Sequence, residues 1–218
     1  MEKMNQKESN AFFMYIVSLI MLFNVGIKTL QTFLEVVPKG YTSRMVELIG
    51  TLLIFIFVKF TPLRLRPTGL VAPAEKVKKT IIRCGLICLG ILTIMVLTRI
   101  VLQRTNGEMA NRPWFGLYLN VSMRWLYPVT VVVQEFFAKG FIQENMKRFL
   151  RRQNPFLAIV ASSMLFVTLH LGYPLYYMIC AGILCFVTGY IYEKDRSIWG
   201  CAMIHFCIGF LPRAIGLK

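Results

Sequence analysis

Residues 80–102 read TIIRCGLICLGILTIMVLTRIVL, an apolar run whose only charges, Arg83 and Arg99, lie near its two ends. An α-helix needs about 20 mostly apolar residues to cross the hydrocarbon core of a bilayer. Long basic side chains near the ends of such a helix can extend to the polar interface. The run therefore predicts a transmembrane helix.

Apolar runs of comparable length recur along the whole chain. Of its 218 residues, 56% are hydrophobic, and the mean hydropathy of +0.60 is higher than expected of a soluble domain. The predicted fold class is all-α, a polytopic membrane helical bundle of about seven transmembrane helices. We divide it into an N-terminal transmembrane region, 1–114, with three spans and a basic loop, and a core, 115–218, with four spans. The predicted spans are residues 11–34, 45–61, 80–102, 128–149, 155–171, 174–192 and 197–215.

The formal net charge is +15, from 25 basic and 10 acidic residues. The basic residues lie between apolar runs rather than along one soluble face, so we expect anionic membrane lipid as their partner and no nucleic acid. If the loop at 62–79 is cytoplasmic, alternation puts the charged segments at 147–152 and 193–196 on the same side. The pattern predicts a multi-pass protein of the cell membrane with a cytoplasmic N-terminus.

Few ionisable residues lie deep in the predicted spans, where a charge costs at least ~2.5 kcal/mol. Glu135 and Lys139 lie one turn apart on the same face of span four, and the chain's two histidines, His170 and His205, lie in spans five and seven. At ~1.5 Å per residue, Glu135 and His170 lie ~21 to 23 Å from the inner boundary and His205 ~12 Å. We therefore expect Glu135 beside His170, with His205 one to two turns away.

A carboxylate and an imidazole can hold and deprotonate a water molecule, and a second imidazole can donate to an oxyanion. This pattern favours hydrolysis of an amide, with no cofactor. Three alternatives stay open. Glu135 and Lys139 can form a purely structural pair, and a zinc site can be built from Glu135, His170 and His205, although no HExxH motif occurs. A small transporter can use the same residues as a proton relay, although no inverted repeat favours it.

Three short motifs follow one another in the predicted core. Residues 134–140 read QEFFAKG, residues 166–170 read FVTLH, and residues 205–209 read HFCIG. In this order, over roughly 125–215, they resemble the motifs of the CAAX protease and bacteriocin-processing family, also called CPBP or Abi. Those motifs are two glutamates followed by three residues and Arg-Gly, then Phe with His four residues later, then His with Asn four residues later.

The resemblance implies a helical intramembrane glutamic endopeptidase that acts on a prenylated protein or a small peptide precursor. It implies that Glu135 and His170 activate water and that His205 stabilises the oxyanion. Phe166, one turn before His170, is expected to hold that ring. Some relatives are linked to bacteriocin self-immunity.

The sequence departs from the motifs at three positions. Gln134 replaces the first glutamate and can orient water but cannot take its proton. Lys139 replaces the arginine, and Gly209 replaces the asparagine that would donate to the oxyanion. Our hypothesis is that Glu135 has taken over as the base. The alternative is a catalytically impaired membrane protein for bacteriocin self-immunity or regulation on the same scaffold.

Overall fold

The computed structural model describes residues 3–33, 39–63, 69–115, 126–150, 154–170 and 173–217. Within these ranges the secondary structure is entirely helical, with no strand. The helices are α1 (Gln6–Phe33), α2 (Lys39–Phe60), α3 (Ala74–Thr105), α4 (Gly107–Ala110), α5 (Tyr127–Glu135), a π-helix (Phe136–Gln143), α6 (Glu144–Phe149), α7 (Phe156–Thr168), α8 (Leu175–Asp195) and α9 (Ile198–Ala214).

Several of these helices are suited to a bilayer. In the described part of the chain, three helical stretches are long and apolar enough to cross a membrane, namely Gln6–Gly26, Ala74–Thr105 and Leu175–Asp195. Three shorter apolar helices accompany them, namely Leu48–Phe60, Phe156–Thr168 and Ile198–Ala214. Large apolar side chains such as Leu86 and Ile94 on α3 are exposed at the surface of the bundle, as lipid-facing residues are. The all-α membrane bundle predicted from the sequence is confirmed.

Several helix boundaries differ from the predicted spans. α3 begins at Ala74, so the basic residues at 76–79 belong to a helix rather than to the loop predicted at 62–79. α8 continues through the predicted charged turn to Asp195 and ends at Arg196, whose left-handed φ of 55° breaks the helix. Residues 116–125, which precede the fourth predicted span, lie outside the described residues.

The fifth predicted span, 155–171, is too long at its C-terminal end. α7 stops at Thr168, and His170 lies in the turn that follows it. That turn is held by the backbone, since the His170 N–H donates to Val167 O at 2.9 Å and the Tyr173 N–H donates to His170 O at 2.9 Å. His170 is thus presented by the end of a helix rather than by its middle.

The fourth predicted span is a single continuous rod made of α5, the π-helix and α6. A π-helix has a wider turn than an α-helix and is often found at functional sites. Almost all of its residues are buried here, so this rod is the central element of the bundle. α1 packs against it, with the rings of Tyr15 and Phe141 in an edge-on contact at 5.0 Å.

Glycines allow the outer helices to pack closely. A Cβ added to Gly182 of α8 would lie 2.5 Å from Cγ2 of Val167 on α7. A Cβ added to Gly200 of α9 would lie 2.4 Å from Cγ2 of Thr80 on α3. Small residues at such contacts let backbones approach where no hydrophobic effect drives association. The two contacts position α7 and α9. His205 lies on α9, and His170 lies in the turn that follows α7.

Ion pairs join α6 to the end of α8. Arg196 donates to both oxygens of Glu144, at 2.5 and 2.7 Å, and Lys147 donates to Glu193 at 2.5 Å. The hydrogen-bonded carboxylate of Glu144 raises the pKa of the Arg196 guanidinium. The charged clusters predicted to be cytoplasmic loops are therefore partly an interhelical network that fixes the central rod against α8.

Candidate active site

Glu135 ends α5, where the rod changes from α-helix to π-helix, and only 2% of it is exposed. The Nδ1–H of His205 on α9 donates to Oε1 of Glu135 at 2.8 Å. Because a carboxylate accepts that bond, the proton of the neutral ring lies on Nδ1 and Nε2 is left as the basic nitrogen. The structure thus pairs Glu135 with His205, where the depth argument expected His170.

Residue counts along each span assume that the helices lie parallel and start at one level. Tilt and packing shift the level of a residue relative to such a count. The packing of α5 against α9 brings the acid and this imidazole to the same level.

His170 contacts the same phenylalanine ring as His205. Its Nδ1–H donates to Phe166 O at 2.8 Å, so Nε2 is the basic nitrogen of this ring as well. The ring of Phe166 lies 4.7 Å from the His170 ring and 6.2 Å from the His205 ring, between centroids. Both imidazoles therefore contact one buried aromatic side chain. No hydrogen bond joins Glu135 to His170, although both are described.

The second oxygen of Glu135 is unusual. Oε2 is buried and has no hydrogen-bond partner in the described part of the protein. Buried polar atoms are nearly always paired, so an unpaired carboxylate oxygen calls for a functional or structural reason. The nearby Lys139 attracts this carboxylate electrostatically, which offsets part of the cost of burying its charge.

Lys139 itself is bound by α8. Its Nζ donates to the backbone oxygen of Cys185 at 2.5 Å and to Sγ of Cys185 at 2.8 Å. It makes no direct ion pair with Glu135 in the described structure, so the two charges attract each other from a distance. Lys139 instead ties the π-helix to α8. Cys185 carried no signal in the sequence that could have marked it as the partner.

The described residues contain no group of three His, Cys, Asp or Glu side chains arranged to hold a metal ion. Glu135 and His205 are direct neighbours, whereas the ring of His170 is turned by its bond to the backbone of α7. The zinc site considered for these three residues is therefore not preformed in this arrangement.

Gln134 and Gly209, two of the three residues that depart from the family motifs, have different surroundings. Gln134 is half-buried beside Glu135 on α5. Gly209 lies against Tyr127, and a Cβ at position 209 would be 1.6 Å from the phenolic oxygen. Any larger residue at 209 would collide with that phenol. Nothing in the sequence marked Tyr127, because its place beside Gly209 arises only when α5 packs on α9.

Comparison with known proteins bears on the same region. Residues 114–211 match the family model described as type II CAAX prenyl endopeptidase Rce1-like. No curated protein matches the chain, and no solved structure matches it. The matched segment contains the central rod and the three motifs, with Glu135, His170 and His205. This segment, a little under half of the chain, is therefore similar to the CAAX protease family.

Proposed function

We propose that this protein is an intramembrane endopeptidase of the CAAX type, which cleaves a peptide bond of a prenylated protein or a small peptide precursor. The observation that carries the proposal is the buried hydrogen bond between Glu135 and His205, inside the segment that matches the family. A buried carboxylate on Nδ1 of an imidazole is an arrangement used to orient a general base.

In the proposed mechanism, His170 and His205 hold one water by its two hydrogens. Both rings have Nε2 as the nitrogen that can accept, because Nδ1 of each donates to a protein oxygen. A water held in this way keeps its lone pairs free to attack a carbonyl carbon. Glu135 is then the partner of His205 rather than the base itself, which revises the role that the motif resemblance implied.

The reaction proceeds in two steps. First the water oxygen bonds to the substrate carbonyl carbon, the π electrons move to the carbonyl oxygen, and a water proton passes to Nε2 of His205. Glu135 stabilises the imidazolium that forms. Then the tetrahedral intermediate collapses, the C–N bond breaks, and His205 returns the proton to the leaving nitrogen.

The test uses the full chain in lipid nanodiscs with a quenched peptide that carries a farnesylated CAAX tail. Glu135→Gln keeps the shape of the side chain and should lower kcat by up to about 10⁴-fold, as expected for loss of the acid behind a base. His170→Ala should also lower kcat. Glu75→Gln on α3 is the control, because the Glu75 side chain is exposed and outside the site, and its kcat should stay at the wild-type level. Equal cleavage by all four proteins would contradict the mechanism.

We further propose that the protein is a multi-pass protein of the cell membrane with a cytoplasmic N-terminus. The orientation is supported by the basic residues of α3 and α6 and by the charged end of α8, which alternation places on one side. In this arrangement residues 1–114 support the core, 115–218, that carries the chemistry.

A second candidate function is a catalytically impaired protein for bacteriocin self-immunity or regulation. The observation that favours it is the amide of Gln134 at the first motif position. On this alternative, protection or partner binding survives His170→Ala. Gln134→Glu then creates hydrolysis of the quenched peptide that the wild-type protein lacks.

A further inference from the structure

In the proposed mechanism, no residue has yet been assigned to donate a hydrogen bond to the oxyanion. Nε2 of His205 accepts the proton of water, so it cannot at the same time donate to the oxyanion. Removing a single such donor from an enzyme of this kind costs about 10² to 10³-fold in kcat. The donor must therefore lie close to His205 and on the same side of α9.

The phenol of Tyr127 lies in that position. Gly209 has no side chain, and the space that a Cβ would take is filled by the tip of this phenol, with Oη 1.6 Å and Cζ 2.7 Å from the ideal Cβ. The ring is also tilted against Phe206, with 5.9 Å between centroids. The glycine and the phenol thus form a matched pair, in which a gap on α9 receives a ring from α5.

The same pair brings the hydroxyl to the face of α9 that carries His205. His205 and Gly209 are four residues apart, so they share a face and are separated by ~6 Å along the helix. The hydroxyl at Gly209 thus lies about one helical turn along α9 from His205. Helix α5 therefore supplies both the acid, Glu135, and the phenol, Tyr127.

A phenol also suits the surroundings. It donates a hydrogen bond while neutral, so it adds no charge inside a membrane helix, where a charge costs at least ~2.5 kcal/mol. Tyr127 is half-buried whereas Glu135 is buried, so this residue is more accessible than the acid.

We propose that Tyr127 is a catalytic residue whose hydroxyl donates to the carbonyl oxygen of the substrate as it becomes an oxyanion. The inference rests on the proposed peptidase function. The hydroxyl keeps its proton throughout. It donates to the oxygen while the bond from water forms, and the bond weakens when the carbonyl is restored and the C–N bond breaks.

The test compares wild type with Tyr127→Phe in nanodiscs on the farnesylated quenched peptide. Tyr127→Phe keeps the ring that packs on Phe206 and loses only the oxygen that lies in the gap at Gly209, so it should fold normally. We expect kcat to fall about 10² to 10³-fold, with KM changed less than about twofold because the bond strengthens in the transition state. Tyr190→Phe, a tyrosine of α8 that packs on Phe186, is the control and should keep wild-type kcat.

A rescue variant separates a chemical role from packing. Tyr127→Ala removes the phenol, and the double variant Tyr127→Ala with Gly209→Asn uses the vacated space to present an amide donor from α9. Part of the lost kcat should return in the double variant. A Tyr127→Phe protein with wild-type kcat, or a double variant no better than Tyr127→Ala, would overturn the proposal.

A binding measurement distinguishes this inference from the peptidase proposal. A phosphinic analogue of the same peptide mimics the oxyanion and needs no turnover. It should bind Tyr127→Phe about 10²-fold more weakly than wild type, while the parent peptide binds both alike. If wild type cleaves nothing but this difference is found, the peptidase proposal fails and the donor stands. Suppose instead that wild type cleaves the peptide and Glu135→Gln does not. If the analogue then binds wild type and Tyr127→Phe equally, or binds neither, only the proposed role of Tyr127 is overturned.

Discussion

Phe166 is the residue that relates the two imidazoles to each other. It is buried, and its ring contacts both His170 and His205. Its backbone oxygen also accepts the Nδ1–H of His170. Phe166 contacts both imidazoles with its ring and orients that of His170 with its backbone oxygen. It therefore sets the separation of the two imidazoles that would share a water.

We predict that Phe166→Leu lowers kcat about 10 to 100-fold, because loss of the flat ring lets the imidazoles shift by a fraction of an ångström to an ångström. The free energy of unfolding should fall by less than about 2 kcal/mol, since leucine fills much of the same volume. Kinetics on the quenched peptide and thermal unfolding in detergent measure the two effects. Phe186→Leu on α8 is the control and should leave kcat unchanged. Unaltered kcat in Phe166→Leu would show that the ring does not position the site.

At the level of the helices, the α7–α8 pair depends on a close approach at Gly182. Val167 lies near the end of α7, three residues before His170, so the contact with Gly182 fixes the part of α7 that presents the site. Valine has restricted rotamers in a helix and cannot readily move aside. The helix pair should therefore respond strongly to one added methyl group.

We predict that Gly182→Ala lowers the free energy of unfolding by about 1 to 3 kcal/mol, because the new Cβ would lie 2.5 Å from Cγ2 of Val167. Gly90→Ala on α3 is the matched control. No atom lies within 4 Å of a Cβ there, and alanine raises helix propensity, so this variant should be stabilised by up to about 1 kcal/mol. Equal effects of the two substitutions in thermal unfolding would refute the packing argument.

Across the whole molecule, the N-terminal helix is bound to the central rod by a buried ion pair. Arg148 of α6 donates to Oε2 of Glu8 on α1 at 2.9 Å, with 4% and 7% of the side chains exposed. Glu8 also takes part in a capping box, since its N–H donates to Asn5 Oδ1 at 2.9 Å and Asn5 N–H donates to Glu8 Oε2 at 3.2 Å. The same carboxylate thus starts α1 and attaches it to the core.

We predict that Glu8→Gln and Arg148→Met each destabilise the fold, since each removes one charge of a buried ion pair. The double variant should cost less than the two single effects together, by about 1 to 3 kcal/mol. Glu8→Gln retains an acceptor for the capping box, so the comparison isolates the ion pair. Denaturant unfolding in micelles measures all three, and strictly additive effects would show that the pair contributes no coupling.

The proposed orientation in the membrane is tested with alkaline phosphatase fusions, which are active only outside the cytoplasm. Fusions after Lys79 and Asp195 should be inactive, and a fusion after Tyr173 should be active, because the basic and ion-paired ends lie inside. The opposite pattern would invert the proposed topology while leaving the bundle itself unaffected.

Much of the architecture could be predicted because it follows from composition along the chain. Long apolar runs must become helices in a bilayer, where every backbone polar group has to be paired within its own segment. The same cost of burying charge singled out Glu135, His170 and His205 as residues that need a reason to be where they are. Neither inference requires knowledge of which helices are neighbours.

The contacts within the site depend on how the helices pack, and sequence spacing does not contain that information. The early end of α7 leaves His170 in a turn, bonded to the backbone of Phe166. The packing of α5 against α9 sets His205 beside Glu135, and the gap at Gly209 admits Tyr127. Each of these last two contacts joins elements far apart in the chain. Hydrophobic periodicity places a residue on a helix, but only the packing of helix on helix sets its depth and its partner.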